Sequence, residues 1–292
     1  MPAMLRKLVV VGVGLIGGSF ALALKAAGAV DHVVGVGRRE TTLERARALG
    51  IIDAIGALEA STLSDADLVL VSVPVAQTEK VLAALAPHLR ATTLVTDAGS
   101  TKHDVVAAAR AALGTGIRQF VPGHPIAGTE HSGPEAAFAE LFRGRNVVLT
   151  PLEENSAQDV ARVRRAWENC GARVREIGVT EHDRILAAVS HLPHLLAYAL
   201  VDHVTGRPGG ERFISFAAGG FRDFTRIASS HSEMWRDICM ANRIGLIEEL
   251  DGYTVILQEL RAILERGDAL ALQAVFERAR EARNHWLEQS GT

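Results

Sequence analysis

The chain has 292 residues, which at roughly 100–200 residues per domain predicts two domains. With 48% hydrophobic and 22% charged residues it reads as a globular protein, and a net charge of −3 predicts no nucleic-acid partner. Its two cysteines, Cys170 and Cys239, form no C-x-x-C pair. They point to neither a disulfide framework nor a thiolate metal site, which fits a reducing, cytoplasmic setting.

Residues 8–24 are uncharged and follow Arg6 and Lys7, as the apolar core of a signal peptide would. Gly12, Gly14, Gly17 and Gly18 interrupt the run, no A-x-A-like site follows, and Lys25 ends it, so it is read as part of the fold. No other stretch is expected to be long and apolar enough to span a bilayer. Strands are predicted over 7–11, 32–36, 68–73, 93–97, 119–121, 147–150 and 173–176. Helices are predicted between them, over 17–27, 42–49, 77–86 and 102–113. Near-continuous apolar strands alternating with helices predict a buried parallel sheet covered on both faces.

The first strand runs into Gly12-Val13-Gly14-Leu15-Ile16-Gly17, a G-x-G-x-x-G between a strand and a helix. The first glycine permits a tight turn, the second lets backbone approach a pyrophosphate, and the third allows close helix–strand packing. The phosphates would sit at the positive helix N-terminus, over Leu15 and Ile16. The second strand continues as Gly37-Arg38-Arg39, with no carboxylate to grip a ribose hydroxyl. Arg38 and Arg39 are either solvated loop charges or partners for a 2′-phosphate, and the latter favours NADP over NAD. Ser72-Val73-Pro74 and Asp97 end further strands, where such folds bind ligands, and complete the candidate cofactor set.

Beyond about Gly178 the pattern is helical, over 179–204, 235–265 and 268–289, with loops over 206–210 and 217–222. The domains are placed at 1–178 and 179–292. Ile244, Ile247, Leu250, Thr254, Leu257, Leu260 and Leu264 form a long apolar seam at helical spacing. It serves either core packing or, as favoured here, a symmetric dimer interface.

His124 follows the 119–121 strand between Gly123 and Pro125. An imidazole there can accept a proton near working pH, or it is a loop histidine with a structural hydrogen bond. Ser100 can donate to a substrate oxygen and accept from an imidazole. Ser100 and Thr101 can also cap the helix that follows, and both roles can coexist. His191 and His194 lie three apart around Pro193, with no carboxylate or thiolate at matching spacing, so no metal is expected. His194 is the stronger candidate for substrate contact. Arg226 can hold a substrate carboxylate or pair with Asp223 or Glu233; Arg222 and Arg236 compete for the same task.

Asp97-x-Gly99-Ser100-x-Lys102, Gly123-His124-Pro125-Ile126-Ala127-Gly128-Thr129-Glu130, Ser190-His191-Leu192-Pro193-His194 and Phe224-Thr225-Arg226-Ile227-Ala228 stand in this order. In that order they resemble the prephenate/arogenate dehydrogenase family over nearly the whole chain. The resemblance implies an α/β fold, with a Rossmann-like dinucleotide-binding domain followed by an all-α dimerisation domain. It implies NAD(P)-dependent oxidative decarboxylation of prephenate or arogenate in tyrosine biosynthesis. His124 would be the acceptor for the substrate C4 hydroxyl, and Ser100 would position both. Arg226 would hold a carboxylate, with His194 and Thr129 lining the pocket. The departure is Gly37, where many members carry an acidic residue, which puts NAD in question but not the reaction. A β-hydroxyacid-type dehydrogenase is disfavoured because no lysine follows Lys102. A non-catalytic NAD(P)-binding regulator would need no proton acceptor, so Ser100, His124, His194 and Arg226 argue against it.

Overall fold

Strand β1 (Leu5–Val11) lies at the centre of the larger sheet, and its last four residues are fully covered. Leu8 and Val10 face one side, packing with Phe20, Leu24 and Trp167; Val9 and Val11 face the other, with Leu63, Leu82 and Val105. This two-sided burial explains why the strand reads as an unbroken apolar run. Each such side chain contributes roughly 1.5–3 kcal/mol on burial.

The computed structural model describes residues 3–129 and 131–290; Glu130 of the Gly123–Glu130 motif lies outside them. The remaining strands are β2 (Val30–Val36), β3 (Ala54–Ile55), β4 (Leu68–Val71), β5 (Leu94–Asp97), β6 (Phe120–Val121), β7 (Gly123–Pro125), β8 (Asn146–Leu149) and β9 (Arg173–Glu176). Six of them form a parallel sheet in the order β3-β2-β1-β4-β5-β6. The helices of this half are α1 (Leu15–Ala26), α2 (Glu40–Ala48), α3 (Ala60–Leu63), α4 (Thr78–Leu85), α5 (His103–Leu113) and α6 (Ala157–Asn169). Then come α7 (Val179–Leu186), α8 (Leu192–Thr205), α9 (Gly210–Ile214), α10 (Gly219–Thr225), α11 (Ser232–Ala241), α12 (Arg243–Arg266) and α13 (Ala269–Ser290).

Several expectations are corrected. The strands do not form one sheet: β7, β8 and β9 make a second, mixed sheet in which β7 runs antiparallel to β8. Gly123-His124-Pro125 therefore is a strand and not a loop, tolerated because β7 is an edge, where proline is allowed. The 217–222 segment, expected as a loop, is largely helical as α10. The helix expected over 235–265 is broken at Asn242 into α11 and α12.

The helix expected over 179–204 is continuous but contains a π-helical turn at Ala187–His191, just before Pro193. Proline removes an amide and crowds the preceding turn, and the wider turn accommodates both. Contrary to expectation, Val179–Thr205 is long and apolar enough to cross a membrane by composition, with a mean hydropathy of 1.4. Within the same stretch His182, Asp183 and His191 bond to β7, α5 and Asn242 of the fold.

The chain divides between Arg243 and Ile244 into two compact units. The second consists of most of α12 together with α13. Its apolar seam lies open in the single chain: Ile244 is 69% exposed, and Ile247, Leu250, Leu257 and Leu264 are also exposed.

Candidate active site

The order of the six strands reverses between β1 and β4, which leaves a crevice at their carboxyl ends. Gly12 follows β1 in a left-handed conformation (φ 94°), and a Cβ there would strike the Ser72 carbonyl after β4. A Cβ on Gly17 would strike the Gly12 carbonyl and Val10. Gly14 faces open space, and α1 starts at Leu15 with no side chain capping it. Open backbone beside free helix amides fits a dinucleotide pyrophosphate. Ser72 and Val73 border the turn half-buried, and Pro74 follows them exposed. Arg38 and Arg39 are exposed beyond β2. The Gly17→Ala variant is expected to raise the dinucleotide Kd about tenfold or more, a loss of about 1.4 kcal/mol or greater. Fluorescence titration checks this, and an unchanged Kd would contradict the assignment.

Asp97 ends β5, in register with Val71 of β4. It is 1% exposed, and its carboxylate accepts from the Gly99 amide (2.8 Å), the Gly123 amide (3.0 Å) and the buried Lys102 ammonium.

His124 is buried on β7, with Nδ1 2.9 Å from Nε2 of His182. His182 in turn places Nδ1 2.8 Å from Oδ1 of Asp183. The Asp183 carboxylate only accepts, so Nδ1 of His182 carries the proton and its Nε2 is an acceptor. Nδ1 of His124 must then donate, which leaves Nε2 of His124 with a free lone pair. This tautomer is assigned from the hydrogen-bond chain. Burial, then the neighbouring His182 and the Lys102 charge, push the His124 pKa well below the usual imidazole value. The ring is therefore a neutral proton acceptor at physiological pH.

Asp183 has a second task. Its Oδ1 and Oδ2 accept from the amides of Lys102 and His103 (2.8 Å each), the first amides of α5. Ser100 and Thr101 were the local candidates for that cap; neither makes it, and α5 has no capping bond from its own N-cap residue. Ser100, half-buried, is left with its hydroxyl uncommitted among the described residues. Burial raises the Asp183 carboxyl, but the bonds from His182, His103 and Lys102 outweigh it and hold the pKa below the usual carboxylate value. The Asn242 amide, at the break before α12, donates to the Asp183 carbonyl (2.7 Å) and to Nδ1 of His191 (3.0 Å).

His194 donates from Nδ1 to the Ser190 carbonyl (2.9 Å) and stacks on Trp235 at 3.5 Å. The Tyr198 hydroxyl donates to the Ser230 carbonyl (2.6 Å), tying α8 to the turn Arg226–Ser229. Burial lowers the His194 pKa, and the nearby Arg226 charge adds to that. Arg226 makes no ion pair among the described residues, and Glu233 pairs with Arg236, which is also held by Asp237. Arg222 makes no ion pair among the described residues either, and Arg226 is the one of the three arginines whose charge acts on His194. Thr129 is exposed, its hydroxyl accepting from the His131 amide (3.2 Å). No group of three or more potential metal ligands exists among the described residues.

The sequence profile of the prephenate dehydrogenase nucleotide-binding domain matches residues 20–176, and that of the prephenate dehydrogenase dimerization domain matches 179–278. The chain belongs to the prephenate dehydrogenase family. It is 38% identical to a cyclohexadienyl dehydrogenase of Zymomonas mobilis, over 95% of each chain. It is 35% identical to a prephenate dehydrogenase of Bacillus subtilis, over 97% of this chain and 77% of the other. The crystal structure of prephenate dehydrogenase from Aquifex aeolicus in complex with hydroxyphenyl propionate and NAD+ superposes with a TM-score of 0.90 at 34% identity. The match covers 96% of this chain and 98% of that one.

For this prephenate dehydrogenase family member, sequence reasoning missed His182, Asp183 and Asn242. They lie 58 or more residues from His124 along the chain and join its hydrogen-bond network only through folding. The one local signal was a histidine–aspartate pair at the start of an amphipathic helix, which reads equally well as a solvated first turn. Both residues are in fact buried.

Proposed function

We propose that the chain oxidatively decarboxylates prephenate to 4-hydroxyphenylpyruvate, arogenate to tyrosine, or both, in tyrosine biosynthesis. The observation that carries this reading is the Asp183–His182–His124 chain, which ends in a neutral imidazole lone pair. Family membership supports the same reaction.

A bound nicotinamide dinucleotide supplies the acceptor for the hydride that leaves the carbinol carbon. Nε2 of His124 takes the hydroxyl proton as that carbon becomes a carbonyl. The ring carboxylate opposite then leaves as carbon dioxide, its bonding electrons flow to the carbonyl oxygen, and the ring becomes aromatic. The protonated His124 returns its proton to the new phenolate. Aromatisation drives the loss, so no separate decarboxylation group is required. Ser100 holds the hydroxyl, Arg226 grips a carboxylate through its planar fork, and His194 and Thr129 line the pocket. Chromatography tests this: one aromatic product and one carbon dioxide should form per reduced dinucleotide. Reduction without carbon dioxide release would refute it.

NADP is favoured over NAD, because β2 ends without a carboxylate and exposed Arg38 and Arg39 follow. In the double variant Arg38→Ala/Arg39→Ala, the KM for NADP should rise about tenfold or more, with NAD changed less than about twofold, as expected when bonds to a phosphate are lost. Equal effects on both cofactors would remove this preference. The open seam on α12 and the matched dimerization domain support a homodimer through the C-terminal helices. A functional division at Gly178–Val179 is supported by the profile matches over 20–176 and 179–278. Two free cysteines support a cytoplasmic location.

A further inference from the structure

The ion pair of Asp97 and Lys102 is the most deeply buried pair of charges among the described residues, with Lys102 at 0% exposure. Burying two charges costs more than an apolar pair of similar size unless their bonds are well used, so the pair calls for a reason. The reason lies in what the carboxylate holds. Its Oδ2 accepts from the amide of Gly99, the residue before Ser100. Its Oδ1 accepts from the amide of Gly123, the residue before His124. One side chain thus fastens the loop after β5 and the strand β7, each at the position next to a proposed catalytic residue.

Only a carboxylate meets this geometry. It presents acceptors alone, whereas an asparagine would turn its NH2 towards an amide or the ammonium. Lys102 supplies the charge that makes a buried carboxylate tolerable. Its own amide donates to Asp183, so it also touches the far end of the histidine chain. Three donors already occupy the Asp97 carboxylate, which argues against its being a cofactor contact.

We propose that Asp97, neutralised by Lys102, is a positioning residue that sets Ser100 against His124 by holding the amides of Gly99 and Gly123. The inference rests on the reading of His124 and Ser100 given above.

The test is the double variant Asp97→Asn/Lys102→Met, which removes both charges and leaves neither buried alone. Three quantities are read: melting temperature, dinucleotide Kd by fluorescence, and kcat with both substrates saturating. The dinucleotide Kd should stay within about twofold while kcat falls about tenfold or more, since misplacing reacting groups by ~1 Å can cost ~10²-fold. A folded variant with kcat within about twofold of the parent would overturn the proposal, leaving the pair a purely structural role. A Kd weakened about tenfold with kcat kept at saturation would also overturn it, making Asp97 a cofactor contact.

If the double variant does not fold, Gly99→Ala decides. Gly99 does not use a left-handed backbone, so alanine is allowed there, but its Cβ would lie 2.8 Å from Oδ2 of Asp97 and displace the carboxylate. The same split between kcat and Kd is expected, and an unchanged kcat refutes the proposal. His124→Asn is measured alongside. If it keeps full kcat, the reading of His124 has failed. If it is inactive while the Asp97 and Gly99 variants are fully active, only the positioning inference has failed.

Discussion

The His124→Asn variant is expected to lose about 10²–10⁴-fold in kcat, the usual contribution of a positioned proton acceptor, while still binding dinucleotide. Asparagine can fill most of the space and its NH2 can still donate to Nε2 of His182, so the buried chain keeps a partner. What it cannot do is accept a proton. The pH dependence follows with its sign. Burial, then His182 and Lys102, hold the His124 pKa well down, so the neutral acceptor persists below the ordinary histidine value. The acid limb of kcat/KM in the parent enzyme should therefore lie below about pH 6.5, activity falling as His124 takes a proton. An asparagine variant that keeps more than about a tenth of the parent kcat, a loss well short of that range, would remove His124 from the mechanism.

Asp183→Asn should lower kcat by ~10²-fold or more without touching substrate, through the tautomer of His182. The NH2 of an asparagine would donate to Nδ1 of His182 and move that ring's proton to Nε2. His124 would then accept at Nδ1 and carry its own proton on Nε2, where the substrate hydroxyl needs a lone pair. The same change strikes stability. The carboxylate accepts from the Lys102 and His103 amides at the start of α5, and an amide leaves at least one of these donors unsatisfied. That costs roughly 1–3 kcal/mol at neutral pH. The pKa of Asp183 is lowered in the folded state, so its carboxylate stabilises the fold above the unfolded value and loses that contribution as pH falls through the folded one. The stability gap between parent and variant should thus narrow as pH drops below about 4. Urea titrations at pH 7 and pH 3 measure it. A gap that widens in acid would contradict the assignment.

The parts of this molecule that were legible in the sequence are those where one physical demand dominates a short stretch. β1, β2 and β4 lie covered on both faces, so they read as apolar runs. The glycines at 12 and 17 each answer to a close approach that the structure shows, and the open α12 seam shows as a stripe at helical spacing. His124, Ser100 and Arg226 stand out as candidates because their motifs are distinctive. The misses share a different cause. β7 is three residues long and contains proline, so nothing local marks it as a strand; pairing with β8 makes it one. α10 begins with two glycines, whose low helix propensity is overridden by its packing on α8. Asp183 caps a helix that starts 80 residues earlier in the chain, and no window-based reading connects the two. Asp97 was legible as an important carboxylate at a strand end, but its hold on Gly99 and Gly123 is visible only in three dimensions.

The most direct measurement is the absorbance at 340 nm of purified protein with prephenate or arogenate, each with NAD and with NADP. The account predicts steady growth of the reduced-cofactor signal with at least one pair, NADP giving the faster rate. Four flat traces from protein that still binds dinucleotide would contradict it, and would leave a dinucleotide-binding regulator as the better description.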